Sequence, residues 1–157
     1  MLHHVGSLSA LLRRTWCSSE WNDKIYKIST TGNVLGNYLV LNPTRYSNGI
    51  VAGPDGNVWM ASNGSNAIEK VTLTGSVTNY SVASGALLQD MVLGPDLNLW
   101  FTEPGTNMLG YITTSGSITL YNTANGLPSG GTPSAITKGP DGNIWFSDRG
   151  YIGKFVL

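Results

Sequence analysis

The segment Gly-Pro-Asp-Gly-Asn-Val-Trp at Gly53–Trp59 recurs, with small changes, at Gly94–Trp100 and Gly139–Trp145. A Thr/Ser-Gly turn follows at a constant distance: 16 residues separate Trp59 from Gly75 and Trp100 from Gly116. Trp16 and Gly32 keep the same spacing, so a fourth unit is present although Ala10–Arg13 replace its opening turn. Successive tryptophans lie 43, 41 and 45 residues apart. That period, filled with short strand-like runs, marks a β-propeller; solenoids built of strands repeat at roughly half the length.

The third unit shows the internal pattern in full. Met91–Leu93 runs into the turn Gly94-Pro95-Asp96, and Asn98–Thr102 follows, rich in aromatic and β-favouring residues. Met108–Thr113 and Ile118–Tyr121 come next, separated by the turn Thr114–Ser117. Short Gly-containing turns between such runs make an antiparallel meander. Third strands are expected also at Lys24–Ile28, Ala67–Leu73 and Tyr151–Val156, and fourth strands at Val34–Leu39 and Val77–Val82. The expected fold is therefore all-β: a propeller of about four blades, each a four-stranded antiparallel meander, the last lacking its fourth strand. The units run over about 15–47, 48–88, 89–133 and 134–157, with 1–14 unassigned.

Length varies only where a fourth strand connects to the next unit: 21, 19 and 23 residues separate each turn glycine from the next Gly-Pro-Asp. Strands must keep register, because a slip of one residue turns the buried face outward, whereas surface loops accept insertions. Val58/Met60, Leu99/Phe101 and Ile144/Phe146 point to one face and Trp59, Trp100 and Trp145 to the other, as blades covered on both sides require. An open arc leaves two end faces bare, at a cost on the order of 10 kcal/mol each for roughly 500 Å² of apolar surface. A strained four-blade ring, self-association of two chains, or further repeats in a longer protein would cover them; the last is the expectation.

Charge is balanced, nine basic against nine acidic residues, and sparse at 11%. No basic field for nucleic acid or an anionic membrane is present, and no apolar run approaches a membrane span. Cys17 is the single cysteine, so no intrachain disulfide forms. Leu8–Leu12 is short and precedes Arg13-Arg14, the reverse of a secretory signal, and localisation stays unassigned, an extracytoplasmic parent being compatible.

Strand direction divides the loops into two rims. The loop after each tryptophan strand shares a rim with the variable connections, the usual binding face of a repeat protein. Glu103 and Asp148 lie three residues past their tryptophans and Glu20 four past Trp16; Glu103 and Asp148 are the candidate metal ligands, since rim carboxylates can hold a divalent cation or move a proton. Asp90 opens a first strand near the channel mouth, and with Asn48, Gln89 and Ser134 it makes up the candidate substrate-binding rim. Asp55, Asp96 and Asp141 belong to the opposite rim, where Asp caps its own turn, and the repeated tryptophans read as core. His3 and His4 are adjacent, so their side chains diverge on a strand and a shared metal is not expected. No phosphate loop, nucleophile elbow or cysteine pair is present.

Gly-Pro-Asp-Gly-Asn-Ile/Val-Trp-Phe, followed by Thr102-Glu103 in the third unit, resembles the repeat of the streptogramin lyases, or virginiamycin B lyases. Leu109–Ile112, Ile152–Phe155 and the turn Ser115–Thr119 resemble that family as well, and the likeness runs from about Trp16 to Leu157. The resemblance implies part of a seven-bladed ring. It also implies a Mg²⁺-dependent C–O lyase that opens type B streptogramin esters, with Mg²⁺ as Lewis acid and a histidine removing the α-proton. The family's histidines stand in Pro-His-Gly-Ile-like segments opening first strands; those slots here hold Asn48, Gln89 and Ser134, none a base near neutral pH. Glu103 matches the family's Trp-Phe-Thr-Glu segment and Asp148 replaces it in the last unit. The expectation is a lyase-like propeller inactive as this isolated chain. The alternative is a non-catalytic binding or cell-surface scaffold with NHL-like repeats, taking a small-molecule or protein ligand at its rim.

Overall fold

The computed structural model describes residues 7–9, 14–19, 24–39 and 47–157. Four antiparallel sheets follow the four repeats. The first holds β1 (Ser7–Ser9), β2 (Arg14–Ser19), β3 (Lys24–Ser29) and β4 (Val34–Leu39). The second holds β5 (Ser47–Ala52), β6 (Val58–Ser62), β7 (Ala67–Val71) and β8 (Val77–Ser81). The third holds β9 (Met91–Leu93), β10 (Leu99–Glu103), β11 (Met108–Ile112) and β12 (Ile118–Tyr121). The fourth stops at β13 (Ile136–Lys138), β14 (Ile144–Asp148) and β15 (Tyr151–Phe155), as its sequence predicts. Strand order follows the chain in every sheet, so each is a meander. The first strands β1, β5, β9 and β13 neighbour one another in turn and line the axis of a partial propeller. β1 falls inside the segment the sequence leaves unassigned; it pairs Leu8 with Trp16 and completes the first sheet.

Gly-Pro-Asp-Gly-Asn-x-Trp acts as one device. Asp96 Oδ1 accepts from the Asn98 backbone N–H at 3.2 Å and from Trp100 Nε1 at 3.1 Å. Asp55 and Asp141 take the indole N–H of Trp59 and Trp145 at 3.1 and 2.9 Å in the same way. A side chain on Gly94 would collide with Asp96 Oδ1 and the Trp100 ring, so the first glycine lets the indole close over the turn. The repeated tryptophan is thus core and turn clamp together, its donor satisfied as burial demands. In the first unit Leu12 occupies the acceptor's position, and Trp16 Nε1 meets no acceptor among the described residues. Burial works to raise the Asp55 carboxyl, but hydrogen bonds from Lys70, Asn57 and Trp59 outweigh it and hold the group at about 2.

Packing between blades repeats the same interlock three times. Trp16 and Ile25 of the first blade meet Val58, Met60 and Val71 of the second. Trp59, Ala61 and Ile68 meet Leu99, Phe101 and Ile112 of the third. Trp100 and Leu109 meet Ile144 and Phe146 of the fourth. Fourth-strand tyrosines stack on the tryptophans: Tyr38 on Trp16, Tyr80 on Trp59 and Tyr121 on Trp100, with ring centroids 5.5 to 5.8 Å apart. Lys27 and Lys70 lie over the indoles of Trp16 and Trp59 and reach across the seam, Nζ donating to Leu73 O at 3.2 Å and Thr114 O at 3.4 Å. Trp145, whose outer face meets no further blade among the described residues, is only half-buried.

Candidate functional site at the loop rim

In the third and fourth blades the loop after the tryptophan strand meets the connection between blades. Gly105 N–H donates to Ala86 O at 3.0 Å, laying the loop after β10 on the connection that precedes β9. After β14, Asp148 does the same work with its side chain: Oδ1 accepts from the Thr132 and Arg149 backbone N–H groups, and Oδ2 from the Tyr151 hydroxyl at 3.2 Å. Only 4% of Asp148 is exposed.

Glu103 ends β10 opposite Met108 and is fully buried. Its Oε2 accepts from Thr106 Oγ1 at 2.8 Å, while Oε1 meets no donor among the described residues. Desolvation raises its pKa against the pull of the Thr106 bond, so the residue favours the protonated acid more than a free glutamate does.

Asp90 joins two blades. Oδ1 accepts from its neighbour's backbone N–H, that of Met91, at 2.8 Å, and Oδ2 from Ile136 N–H on the first strand of the fourth blade at 3.0 Å. Thr102 completes the tie: its hydroxyl accepts from Asp90 N–H at 3.1 Å and donates to Ser134 O at 2.7 Å. Ser134 donates through Oγ to Thr132 O at 3.0 Å and is half-buried; Gln89 is exposed. The side chain of Asn48, and Glu20, His3 and His4 altogether, lie outside the described residues.

Sequence reasoning passed over Thr102. Its signal is a hydroxyl two residues past the tryptophan, and Ser147 repeats it, accepting from Ala135 N–H at 3.0 Å. Among the described residues no three His, Cys, Asp or Glu side chains gather around a common point. A Mg²⁺ ion takes carboxylate oxygens while keeping several waters. Asp90 and Asp148 present oxygens already held by N–H and O–H donors, and Glu103 is sealed from solvent, so these residues as placed do not fit the ion.

The model of the virginiamycin B lyase family matches residues 9–156. A streptogramin B lyase structure superposes with a TM-score of 0.83 at 28% identity, over 95% of this chain and 53% of that one. A catalytically inactive virginiamycin B lyase from Staphylococcus aureus, with quinupristin, superposes at 0.79 and 30% identity, over 92% and 52%. The chain thus spans about half the length of these lyases. A putative gluconolactonase shares the fold at 18% identity and a TM-score of 0.72, over 97% of this chain and 58% of that one. No curated protein matches the chain significantly.

Proposed function

Because the chain belongs to the virginiamycin B lyase family, we propose that it is a propeller framework of that family whose own residues form no working elimination centre. The observation that carries this is Asp90. It is the carboxylate at the opening of a first strand, where the resemblance expects catalytic groups, and both its oxygens are bonded to backbone N–H groups of β9 and β13. A carboxylate so held fixes two blades relative to each other, each of its oxygens engaged by a backbone amide. The neighbouring slots hold Asn48, Gln89 and Ser134, which supply hydrogen bonds but no base. On this reading the variable rim serves binding, and elimination needs a base that these residues lack.

Glu103 favours the second reading, a lyase: it stands in the family's Trp-Phe-Thr-Glu slot as a buried acid with a raised pKa. Incubating the chain with quinupristin and Mg²⁺ and following ring opening by mass spectrometry separates the two. We expect no opening above the protein-free control at high protein loading. Turnover that disappears in Glu103→Ala would establish the lyase instead.

A further inference from the structure

Three Asn-Gly pairs stand in the chain: Asn48-Gly49, Asn63-Gly64 and Asn125-Gly126. Such a pair is prone to lose its side-chain amide, because glycine, with no Cβ, leaves its backbone nitrogen open to approach. The reaction needs that nitrogen to swing within bonding reach of the asparagine Cγ, so the fold decides which pair can react. Gly49 is buried in β5, and a Cβ there would strike the Met91 backbone at the start of β9. That pair is held between two first strands. Asn125 is held by its own short helix, Thr123–Asn125. Its Oδ1 accepts from Asn122 N–H at 3.1 Å, and Gly126 N–H donates to Thr123 O at 3.2 Å. Both reacting groups are engaged.

Asn63 differs from both. β6 ends at Ser62 and β7 begins at Ala67, so residues 63–66 lie outside the ladder. Gly64 is exposed, and among the described residues neither its N–H nor the Asn63 side chain has a hydrogen-bond partner. The turn closes through Asn66 N–H to Asn63 O at 3.3 Å, with Asn66 in the left-handed region at φ 48°. Segments tied so lightly reach distorted geometries at least cost. We propose that Asn63 is the site at which the folded protein deamidates. The Gly64 nitrogen bonds to Asn63 Cγ, the Cγ–Nδ2 bond breaks, and ammonia leaves with the Gly64 proton. Water then opens the cyclic imide. Opening at Cγ gives aspartate; opening at the main-chain carbonyl gives isoaspartate, with the chain rerouted through the side chain. In the second product the carbonyl that now closes the turn becomes a pendent carboxylate. Either product puts a new negative charge on the loop after a tryptophan strand, the rim that also carries Glu103 and Asp148.

Warm, mildly alkaline incubation of the folded chain, followed by peptide mapping in a mass spectrometer, tests the site. The amide-to-acid mass change should appear first in the peptide holding Asn63, at least about 10-fold faster than at Asn125, the factor that one or two net hydrogen bonds represent. In urea the three pairs should react at similar rates, since the fold no longer selects among them. Asn63→Ser keeps a turn-forming residue without the amide, and that protein should hold its isoelectric point over the same period; circular dichroism verifies its fold. Equal or faster reaction at Asn48 or Asn125 in the folded protein would overturn the proposal. So would a folded Asn63 that keeps its amide, or the same preference for Asn63 in urea.

Discussion

At Glu103 burial and hydrogen bonding oppose each other, and burial dominates. The native state therefore binds the proton at a higher pH than the unfolded chain, whose glutamate titrates at about 4.3. A raised carboxyl favours the native state fully below that value and loses the advantage as pH rises through the folded value. Glu103→Gln removes the penalty. We expect urea unfolding at pH 7 to show a gain of about 1–2 kcal/mol, the scale of a buried oxygen without a partner, shrinking below about pH 4. An equal difference at both pH values, or a loss at pH 7, would mean that Oε1 has a donor after all. Asp90 shows the limit of reading such residues from the chain alone. Its loop position was legible, but its partner Ile136 N–H lies 46 residues away in the next unit. Local pattern fixes where a carboxylate sits on its strand and says nothing of which blade's amide it meets. Asp55, Asp96 and Asp141 were legible because their partners lie two and four residues on.

Among the elements, the turns between third and fourth strands report how closely blades approach. Gly32, Gly75 and Gly116 share a left-handed backbone, with φ of 85°, 95° and 95°. A Cβ at Gly75 would strike the ring of Tyr38, and one at Gly116 that of Tyr80, while one at Gly32 meets nothing within 4 Å. Gly32→Ala should then cost only the backbone term, about 1 kcal/mol. Gly75→Ala must also displace Tyr38 from Trp16 and should cost about 3 kcal/mol. Chemical denaturation of both variants gives the seam's contribution as their difference; equal losses would mean that Tyr38 yields freely. The strands were legible wherever aromatic and branched residues filled five or six positions between glycine turns, as in β6, β10 and β14. β1 was not: Ser7–Ser9 is three residues long, and Ala10–Arg13 lacks the Gly-Pro-Asp-Gly pattern that would have announced it. It is a strand because Trp16 and Cys17 offer it an edge to pair with.

For the molecule as a whole, stability follows from how many faces of each blade are covered. The second and third blades have neighbours on both sides, and every residue of β6 and β10 is buried. Among the described residues the fourth has a neighbour on one side only: β14 alternates between buried and half-buried residues, and β15, its outer strand, has no fully buried residue. Local opening takes the route that exposes least apolar surface. Peeling β15 away breaks a single ladder and uncovers Phe155 and the half-buried Trp145. Opening the third blade separates Trp59 from Phe101 and Trp100 from Ile144 at once. Native-state hydrogen exchange should accordingly rank the ladders, with β6, β7, β10 and β11 slowest and β14 with β15 fastest among the three-residue and longer pairings. Protection of β15 equal to that of β10 in dilute protein would show that the open face costs the fourth blade nothing.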